Sequence, residues 1–427
     1  MPKSPFKRIS VIGLGYIGLP TAAVFASRKI EVVGVDVNQH AVDTINRGEV
    51  HIVEPDLDMV VRAVVSGGYL RATTVPEPAE GFLIAVPTPF KGDNHDPDLS
   101  YIKAAALAIA PVLEAGNLVI LESTSPVGAT EAMADWLAEA RPDLSFPQKA
   151  GESSDIRVAH CPERVLPGKV MQELITNDRV IGGMTPSCSA QAAALYKTFV
   201  TGDCVLASSP RVAEMAKLTE NSFRDVNIAF ANELSLICDE LCMDVWELIR
   251  LANLHPRVNI LQPGPGVGGH CIAVDPWFIV SSAPDQARLI RTAREVNDGK
   301  PDWVIEQVQA AIADSLIQNM ERTPSDITIA CFGVTFKADI DDLRESPSLA
   351  IVEKLVRDSK CNVVVVEPNI ESLPEVLQGA EFIHSIRDAS QRCDIALLLV
   401  GHREFKSTFL KPLLDGKHVI DVGGLLR

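Results

Sequence analysis

Cys271 is the candidate nucleophile of the sequence, and it lies in the glycine-rich stretch GPGVGGHCIAVDP at residues 264–276. A thiolate is intrinsically reactive, and a thiol with an ordinary pKa near about 8.5 is partly ionised at pH 7. Glycine and proline resist the interiors of helices and sheets, so the stretch predicts a loop whose backbone a substrate approaches closely. Asp275 adds a carboxylate four residues later. A small apolar cysteine in a tight turn is the alternative.

A polar face on a predicted helix offers groups for acid–base chemistry. In AEMAKLTENSFRD, Lys217 and Asn221 are four residues apart and Arg224 follows three residues later, so the three share one helix face. Lys217 stands in a largely apolar run, where desolvation would disfavour its charge and suit it to proton transfer. A solvated surface lysine is the alternative.

A second glycine motif predicts a dinucleotide site. ISVIGLGYIGLP has the pattern G-x-G-x-x-G directly after a predicted strand, with glycines at Gly13, Gly15 and Gly18. The glycines permit a tight turn and close approach of a pyrophosphate, which the following helix N-terminus favours. Asp36 ends the next strand, where its carboxylate would bind the ribose hydroxyls and favour NAD over NADP. A glycine turn without a ligand is the alternative.

Two threonines follow later strands. Thr88 lies in VPTP and Thr124 in ESTSPVG, at the carboxyl ends of strands, where ligands bind in open α/β sheets. Either hydroxyl could instead form a turn.

The elements that position these residues alternate between strands and helices. The first 200 residues contain apolar strands separated by helix-like stretches, the rhythm of a doubly wound parallel sheet. Residues 211–253 predict one long helix and a shorter one. After the cysteine loop, PDWVIEQVQAAIADSLI places Val304, Val308, Ile312 and Leu316 on one helix face. A second, smaller α/β block then begins with ITIACFG.

Composition excludes several classes of protein. A formal charge of −17 argues against a nucleic-acid binder, and no apolar run approaches the roughly 18 residues that span a bilayer. The start, MPKSPFKRISVIG, predicts a strand rather than a signal sequence, and nine cysteines without a C-x-x-C pair fit a reducing, cytoplasmic location. Cys238 and Cys242 lack the partners of a zinc site, so we expect no metal.

Taken together, the ordered motifs resemble the UDP-sugar 6-dehydrogenases, the UDP-glucose/GDP-mannose dehydrogenase family. The resemblance rests on GLGYIG, VPTP, ESTSPVG, CPERVLPG, the lysine–asparagine helix, GGHC with its aspartate, and FK with DLRESP. It implies two Rossmann-like doubly wound parallel-sheet domains joined by a central helical dimerisation region. The implied domains are an NAD-binding domain at 1–205, a helical domain at 206–320 and a UDP-sugar-binding domain at 321–427, in a homodimer.

The sequence after the cysteine distinguishes branches of this family. Members of the UDP-glucose type carry Pro-Lys-Asp there, whereas this chain has Ile272, Ala273, Val274 and Asp275. HPRVNILQPGPGVGGHCIAVDPWF resembles the N-acetylhexosamine branch, and most of all the members that serve enterobacterial common antigen synthesis. The expected substrate is therefore UDP-N-acetyl-D-mannosamine, with UDP-N-acetylglucosamine or UDP-glucose as alternatives.

The resemblance also implies a mechanism, a four-electron oxidation at C6 with two NAD reduced. Cys271 would hold the aldehyde as a thiohemiacetal and then as a thioester, and Glu163 would activate the hydrolytic water. The implied catalytic set is Cys271, Lys217, Asn221, Asp275, Glu163 and Thr124. The implied cofactor site is Gly13, Gly15, Tyr16, Ile17, Gly18, Asp36, Thr88, Thr124 and Arg344. The implied substrate site is Arg164, Val165, Lys217, Asn221, Arg224, His255, Arg257, Gly268, Phe336 and Lys337.

Two other functions remain open on the sequence. A two-electron hydroxyacid dehydrogenase needs the glycine motif and a helix lysine, but neither Cys271 nor a second nucleotide-binding domain. A non-catalytic NAD-binding scaffold would tolerate loss of Cys271. Whether His255 and Arg257 serve a neighbouring subunit is also open.

Overall fold

The computed structural model describes residues 6–92, 95–166, 168–269 and 271–427. They form two compact units, the first of Met1–Glu220 with Trp277–Pro284 and the second of Asn221–Pro276 with Asp285–Arg427. The three-domain division at 205/206 and 320/321 stays a prediction.

An eight-stranded sheet is the centre of the first unit. Its strands are β1 (Arg8–Ile12), β2 (Glu31–Val35), β3 (Leu70–Thr73), β4 (Gly81–Ile84), β7 (Leu118–Leu121), β8 (Arg157–His160), β9 (Arg179–Gly183) and β10 (Cys204–Leu206), and β5 (Phe90–Lys91) and β6 (Asp96–Pro97) form a separate antiparallel pair. The order is β10-β9-β8-β7-β4-β1-β2-β3. From β1 the strands follow one another toward one edge of the sheet as far as β3, and from β4 they follow one another toward the other edge. The strand order therefore reverses between β1 and β4, and a ligand crevice in a doubly wound sheet lies at such a reversal.

One pair departs from the predicted all-parallel sheet. Strands β8 and β9 are antiparallel, while the neighbouring pairs are parallel. Strand β9, with the sequence RVIGG, is buried along most of its length, so its residues carry no mark of its direction.

Helices cover both faces of this sheet. They are α1 (Gly18–Ser27), α2 (Gln39–Asn46), α3 (Leu57–Ser66), α4 (Ser100–Ile109), α5 (Ala129–Ala140), α6 (Pro147–Ala150), α7 (Val170–Thr176) and α8 (Pro186–Tyr196). Successive strand residues point to opposite faces, so Val11 enters one apolar cluster and Ile12 the other. Burial on both faces explains why these strands are apolar without alternation.

The helices after the first sheet match the sequence prediction in type. They are α9 (Pro210–Glu240), α10 (Val245–Ala252), α11 (Asp275–Ser282) and α12 (Arg288–Gln318). The apolar face predicted on the last of these is present, because Val304 and Val308 are buried and Ile312 and Leu316 are partly buried in one cluster. Helix α12 begins well before Pro301, which therefore lies inside the helix rather than at its start.

The second sheet has five parallel strands. They are β11 (Thr328–Phe332), β12 (Asn362–Val366), β13 (Glu381–Phe382), β14 (Ile395–Leu398) and β15 (His418–Asp421), in the order β13-β12-β11-β14-β15. The remaining helices are α13 (Pro347–Asp358), α14 (Ile386–Arg392) and α15 (Ser407–Leu413). The predicted fold class is confirmed: the chain forms two α/β units with mostly parallel sheets, and a helical segment lies between the two sheets in the sequence.

Across the described ranges, none of the helices combines the length and the apolar character that a bilayer crossing requires. All nine cysteines are free thiols.

Candidate active site

The first glycine motif forms a tight turn with an open centre. Gly13 has φ +90°, and a Cβ there would lie 2.5 Å from the carbonyl oxygen of Ala85, while a Cβ on Gly18 would collide with the carbonyl of Gly13. A Cβ on Gly15 would meet no atom of the described residues within 4 Å. The outer glycines therefore serve the packing of β1, β4 and α1, and Gly15 leaves its backbone accessible to a ligand.

Asp36 is hydrogen-bonded to the same turn. Its Oδ2 accepts a hydrogen bond of 2.8 Å from the Leu14 N–H, and its Oδ1 accepts one of 2.9 Å from the Asn38 N–H. The carboxylate is thereby fixed at the end of β2, beside the glycine turn. Tyr16 and Ile17, which lie between the glycines and α1, are half-buried. This is the geometry in which a ribose diol is bound next to a pyrophosphate.

The two strand-end threonines lie in contact. Thr88 Oγ1 donates a hydrogen bond of 2.5 Å to the Thr124 carbonyl, and Ser123 Oγ donates one of 2.6 Å to the Val86 carbonyl. The loops after β4 and β7 are therefore tied together at the carboxyl edge of the first sheet, next to the glycine turn.

Glu163 lies in a buried charged cluster of the first unit. Burial raises its pKa, against the lowering influence of the Arg179 and Lys217 charges and of the backbone N–H groups of Val165 and Arg164. A carboxyl group whose neutral form is favoured in this way is better suited to taking up a proton than an exposed carboxylate is.

Two further members of this cluster were missed by the sequence reasoning. Glu122 is fully buried, accepts a hydrogen bond of 3.1 Å from the Tyr196 hydroxyl, and lies 3.7 Å from an Arg179 nitrogen. Burial raises the pKa of Glu122 to about 7, and the Glu163 charge contributes to the rise. The spacing of Glu122 and Arg179 along the chain does not predict this ion pair, although Glu122 is the first residue of the ESTSPVG motif.

Helix α9 is anchored to the loop of Thr124. Glu214 is buried and accepts hydrogen bonds from the Gly128 N–H at 2.7 Å and the Thr130 N–H at 2.8 Å. Lys217 follows one turn later and is half-buried. The lysine is thus held within the first unit, where its charge acts on Glu163.

In the second unit the cysteine loop ends at the start of α11. Cys271 is exposed, and its carbonyl accepts a hydrogen bond of 2.8 Å from the Asp275 N–H. Asp275 is only 3% exposed, and its Oδ2 accepts a hydrogen bond from the Asn221 amide. The structure therefore joins three of the predicted catalytic residues. His270 lies outside the described residues.

The glycines of this loop are packed beneath Phe336. A Cβ on Gly268 would lie 2.8 Å from the Phe336 Cβ and 2.5 Å from the Glu345 carbonyl oxygen. Gly269 has φ +81°, and its Cβ would lie 2.9 Å from the Phe336 ring. Predicted substrate residues Gly268 and Phe336 are therefore in contact with each other.

A buried polar network holds the start of the loop. The Gly264 N–H donates a hydrogen bond of 2.9 Å to Asn232 Oδ1, and the Asn232 amide donates one of 2.8 Å to Asn297 Oδ1. Asn297 in turn donates 2.8 Å to Asp225, which forms a buried ion pair of 2.6 Å with Arg294. The four side chains of this network come from α9 and α12, and none of them was predicted from the sequence.

The predicted substrate-binding cations have different surroundings. Arg164 is paired with Glu220 at 2.8 Å, and Arg344 is paired with Asp342 at 2.6 Å. The exposed members of the set are Arg224, His255, Arg257 and Lys337. Val165 is half-buried beside Arg164. Arg164 and Arg344 are thus each paired with a carboxylate within their own unit, and the substrate assignments stay predictions.

Among the described residues, no group of three or more His, Cys, Asp or Glu side chains has the arrangement of a metal site.

Three family models match consecutive parts of the chain. They are the NAD binding domain of the UDP-glucose/GDP-mannose dehydrogenase family at residues 7–200, its central domain at 211–299 and its UDP binding domain at 330–427. These matches include most strands of both sheets and most of the helical segment between them in sequence.

Individual proteins are similar over their whole length. The UDP-N-acetyl-D-mannosamine dehydrogenase of Yersinia pestis is 65% identical over 99% of this chain and 100% of that protein. The NDP-N-acetyl-D-galactosaminuronic acid dehydrogenase of Ralstonia nicotianae is 64% identical over 98% of this chain and 96% of that protein. Among solved structures, the UDP-D-ManNAc dehydrogenase of Pyrococcus horikoshii has a TM-score of 0.87 and 38% identity, covering 98% of this chain and 96% of that one.

Proposed function

The chain belongs to the UDP-glucose/GDP-mannose dehydrogenase family, and we propose that it oxidises C6 of UDP-N-acetyl-D-mannosamine to the uronate with two NAD as oxidants. The observation that supports the reaction type is the hydrogen bond between Asn221 and the buried Asp275 carboxylate, one helical turn after the exposed Cys271. A nucleophile next to a fixed carboxylate and a fixed amide donor is what stepwise oxidation through a covalent intermediate requires.

The choice of sugar is supported by the similarity to the Yersinia pestis enzyme over the full chain. The Ralstonia nicotianae relative, at nearly the same identity, makes an N-acetylgalactosamine nucleotide the second candidate. The two sugars differ in the configuration of ring hydroxyl and acetamido groups, which a pocket distinguishes through a few hydrogen bonds. The product would enter polysaccharide synthesis, including that of enterobacterial common antigen.

NAD fits the turn formed by Gly13, Gly15 and Gly18, because the Gly15 backbone is open and the Asp36 carboxylate is fixed beside it. When bound, NAD supplies the hydride acceptor for each of the two oxidations. The chain contributes the anion-binding N-terminus of α1, which has no acidic residue in its first turn to repel a pyrophosphate.

In the first oxidation, residues of α9 manage the proton of the C6 hydroxyl. Lys217 and Asn221 donate hydrogen bonds to the C6 oxygen, which becomes negative as its proton leaves and becomes a carbonyl oxygen as the hydride departs from C6. The Asn221 amide uses one N–H on Asp275 and has a second for this oxygen. Asp275 orients the amide and the water that takes up the proton.

In the second oxidation, Cys271 retains the product of the first. Its sulfur adds to the aldehyde carbon and the aldehyde oxygen takes up a proton, giving a thiohemiacetal. Loss of a second hydride and of the hydroxyl proton leaves a thioester. Glu163 removes a proton from water, the water oxygen adds to the thioester carbon, and the C–S bond breaks. The sugar acid ionises to the carboxylate product, and the leaving Cys271 sulfur takes up the proton held by Glu163, which restores the thiol.

The diphosphate needs cations in a protein of net charge −17. We assign this role to Arg164, Arg224, Arg257 and Lys337, with backbone groups of Val165 and Gly268, and His255 beside Arg257. Phe336 packs near the nucleotide, and Arg344 serves NAD. Arg164 and Arg344 would exchange their present carboxylate partners for phosphate oxygens, which accept the same planar pair of N–H donors.

A dimer is supported by an apolar stripe on α9. Phe223, Phe230 and Ile237 recur every seven residues and are 70%, 53% and 45% exposed in the single chain. Large apolar side chains at this spacing on one helix face favour contact with a second copy. We place the enzyme in the cytoplasm, where nine thiols remain reduced.

The experiment that tests the proposal counts NADH per molecule of sugar. Purified protein is given NAD with the UDP-linked N-acetylmannosamine, N-acetylgalactosamine, N-acetylglucosamine or glucose. We expect two NADH per sugar and the highest kcat/KM with the N-acetylmannosamine nucleotide. One NADH per sugar would identify a two-electron dehydrogenase, and preference for another sugar would contradict the substrate assignment.

A matched pair of cysteine variants tests the nucleophile. Cys271→Ser should lower uronate formation about 10³-fold or more, because the oxygen nucleophile is weaker and its ester forms poorly. Cys242→Ser, at another exposed cysteine, should leave the rate unchanged. Full uronate formation by Cys271→Ser would exclude a covalent route through the Cys271 sulfur.

A further inference from the structure

His402 is a buried histidine of the second unit to which the proposed chemistry gives no role. It follows β14 and is 3% exposed. Its Nε2 lies 3.0 Å from Oε2 of Glu367, a fully buried carboxylate that follows β12. The two side chains therefore meet at the carboxyl edge of the second sheet, on either side of β11.

The hydrogen bonds define the protonation of the pair. His402 Nδ1 accepts a hydrogen bond of 2.9 Å from the Asp339 N–H, so the ring proton is on Nε2 and is donated to Glu367. Burial tends to raise the pKa of Glu367, but hydrogen bonds from His402 and the Val334 N–H outweigh it and leave the pKa below its ordinary value. Glu367 is thus a carboxylate that accepts hydrogen bonds from the His402 ring and from the Val334 N–H.

Both members of the pair hold the loop after β11. Glu367 Oε2 accepts from the Val334 N–H at 2.8 Å and from the Thr335 N–H at 3.3 Å, where the loop begins. His402 holds the loop at Asp339, where it turns with φ +62°. Between these points the Thr335 hydroxyl donates 2.9 Å to the Lys337 carbonyl.

The loop fixed at both ends carries Phe336 and Lys337. Phe336 lies against Gly268 and Gly269, so closely that a Cβ on either glycine would be within 3 Å of it. These glycines precede Cys271 in the chain by two or three residues. The position of the loop after β11 therefore bears on the cysteine loop through one aromatic side chain.

We propose that His402 and Glu367 are positioning residues that hold the loop 334–339 for the nucleotide of the substrate and, through Phe336, set the cysteine loop. The inference rests on the proposed function, because Phe336 and Lys337 are assigned to the substrate there. It adds two residues that touch neither substrate nor NAD, and it couples nucleotide binding to the nucleophile.

UDP binding to the full-length protein is the direct test, measured by titration calorimetry. His402→Ala removes both the acceptor for Asp339 and the donor to Glu367, and should weaken UDP binding roughly ten- to thirtyfold. His402→Asn retains an acceptor near the Nδ1 position and should recover part of that loss. Thr335→Val, which keeps shape but loses the hydroxyl bond to Lys337, should weaken UDP binding about threefold to tenfold and serves if His402→Ala does not fold.

A control variant separates positioning from general loss of stability. Val363→Ala removes buried apolar atoms at the amino-terminal end of β12, away from the loop edge. It should lower the melting temperature with UDP affinity unchanged. Equal weakening of UDP binding in Val363→Ala and His402→Ala, or wild-type affinity in His402→Ala, would overturn the positioning role. Failure of the wild-type protein to bind UDP would instead overturn the proposed function.

Alkylation of Cys271 by iodoacetamide, followed by peptide mass spectrometry, tests the coupling. We expect saturating UDP to change the alkylation rate of Cys271 at least twofold in the wild type and to leave that of exposed Cys242 unchanged. In His402→Ala, at UDP concentrations that saturate the variant, the change at Cys271 should disappear. An identical response in wild type and variant, or none in either, would contradict the coupling.

Discussion

The hydrogen bond from Asn221 to Asp275 makes the sharpest prediction about catalysis. Asn221→Ala removes the donor and leaves a carboxylate that is only 3% exposed with one partner fewer. A hydrogen bond to an ionised group contributes about 1.5–3 kcal/mol, and 1.4 kcal/mol corresponds to a factor of ten. If the amide also supports the developing oxyanion, kcat should fall about 10- to 150-fold while KM changes little, because the contact strengthens in the transition state.

A double-mutant cycle with Asp275→Ala measures the coupling directly, because asparagine at this position would keep an oxygen that accepts from the Asn221 amide. The single variants and the pair are compared by the rate of the first NADH formed in a rapid-mixing experiment, before thioester hydrolysis limits turnover. We expect a coupling free energy of about 1.5–3 kcal/mol, because each single variant removes the same contact. The matched control is Asn46→Ala in the first unit, which loses two hydrogen bonds to Ala72 and should lower stability without changing the NADH rate.

The reasoning would be refuted by a coupling free energy below about 0.5 kcal/mol, the range seen for independent sites. It would also be refuted if Asn221→Ala lowered the melting temperature as much as Asn46→Ala does and left kcat unchanged. Either outcome would make the Asn221–Asp275 bond a structural contact only.

Two other substitutions test the packing of the second unit. Lys300 is buried, donates 2.6 Å to Ser235 Oγ and lies 3.4 Å from the Trp303 ring centroid, and burial lowers the pKa of its ammonium to about 7. As pH rises above about 7 the folded chain releases a proton that the unfolded chain still binds, so wild-type stability should increase toward pH 10. The free energy of unfolding of Lys300→Met in urea should therefore exceed that of the wild type by about 1–3 kcal/mol at pH 6, and the difference should be smaller at pH 9.5. A difference that grows with pH would contradict this prediction. Gly269→Ala should cost about 1–3 kcal/mol and at least tenfold in kcat, because φ is +81° and the methyl group would displace Phe336; wild-type activity would contradict the packing.

Much of the fold could be predicted because buried parallel strands are apolar on both faces. Runs such as ISVIG and VVVV need no tertiary information to be assigned. Strands β3, β10 and β13 were not predicted, because each is short and carries exposed residues, as an edge strand does. Strand β9 was not predicted either, because its sequence RVIGG ends in two glycines, which weaken a strand pattern. The antiparallel direction of β9 is set by the path of the chain from β8, and its own residues do not encode it.

The residues of the candidate site also differ in whether local sequence predicts their neighbours. Gly13, Asp36 and Asn221 could be predicted because a motif or a helix repeat brings them to their neighbours. Glu122 and Arg179 meet only through the order of β7, β8 and β9 in the sheet. Asn232 and Asn297 meet only because α9 and α12 pack together, and a buried asparagine looks like an exposed one in sequence.

Glycine is needed for different physical reasons in the two motifs, and the amino-acid composition of the motifs does not distinguish these reasons. In the first motif, Gly15 is open, so the missing side chain leaves room for a molecule that is not part of the chain. In the second, the space beside Gly268 and Gly269 is filled by Phe336, so the approaching group is the protein itself. The absent side chains of Gly268 and Gly269 are therefore explained by packing, and the substrate role proposed for the Gly268 backbone does not depend on them. The two glycines allow an aromatic residue from the loop after β11 to lie directly on the segment that presents the thiol, which is why a change in that loop should be felt at the sulfur.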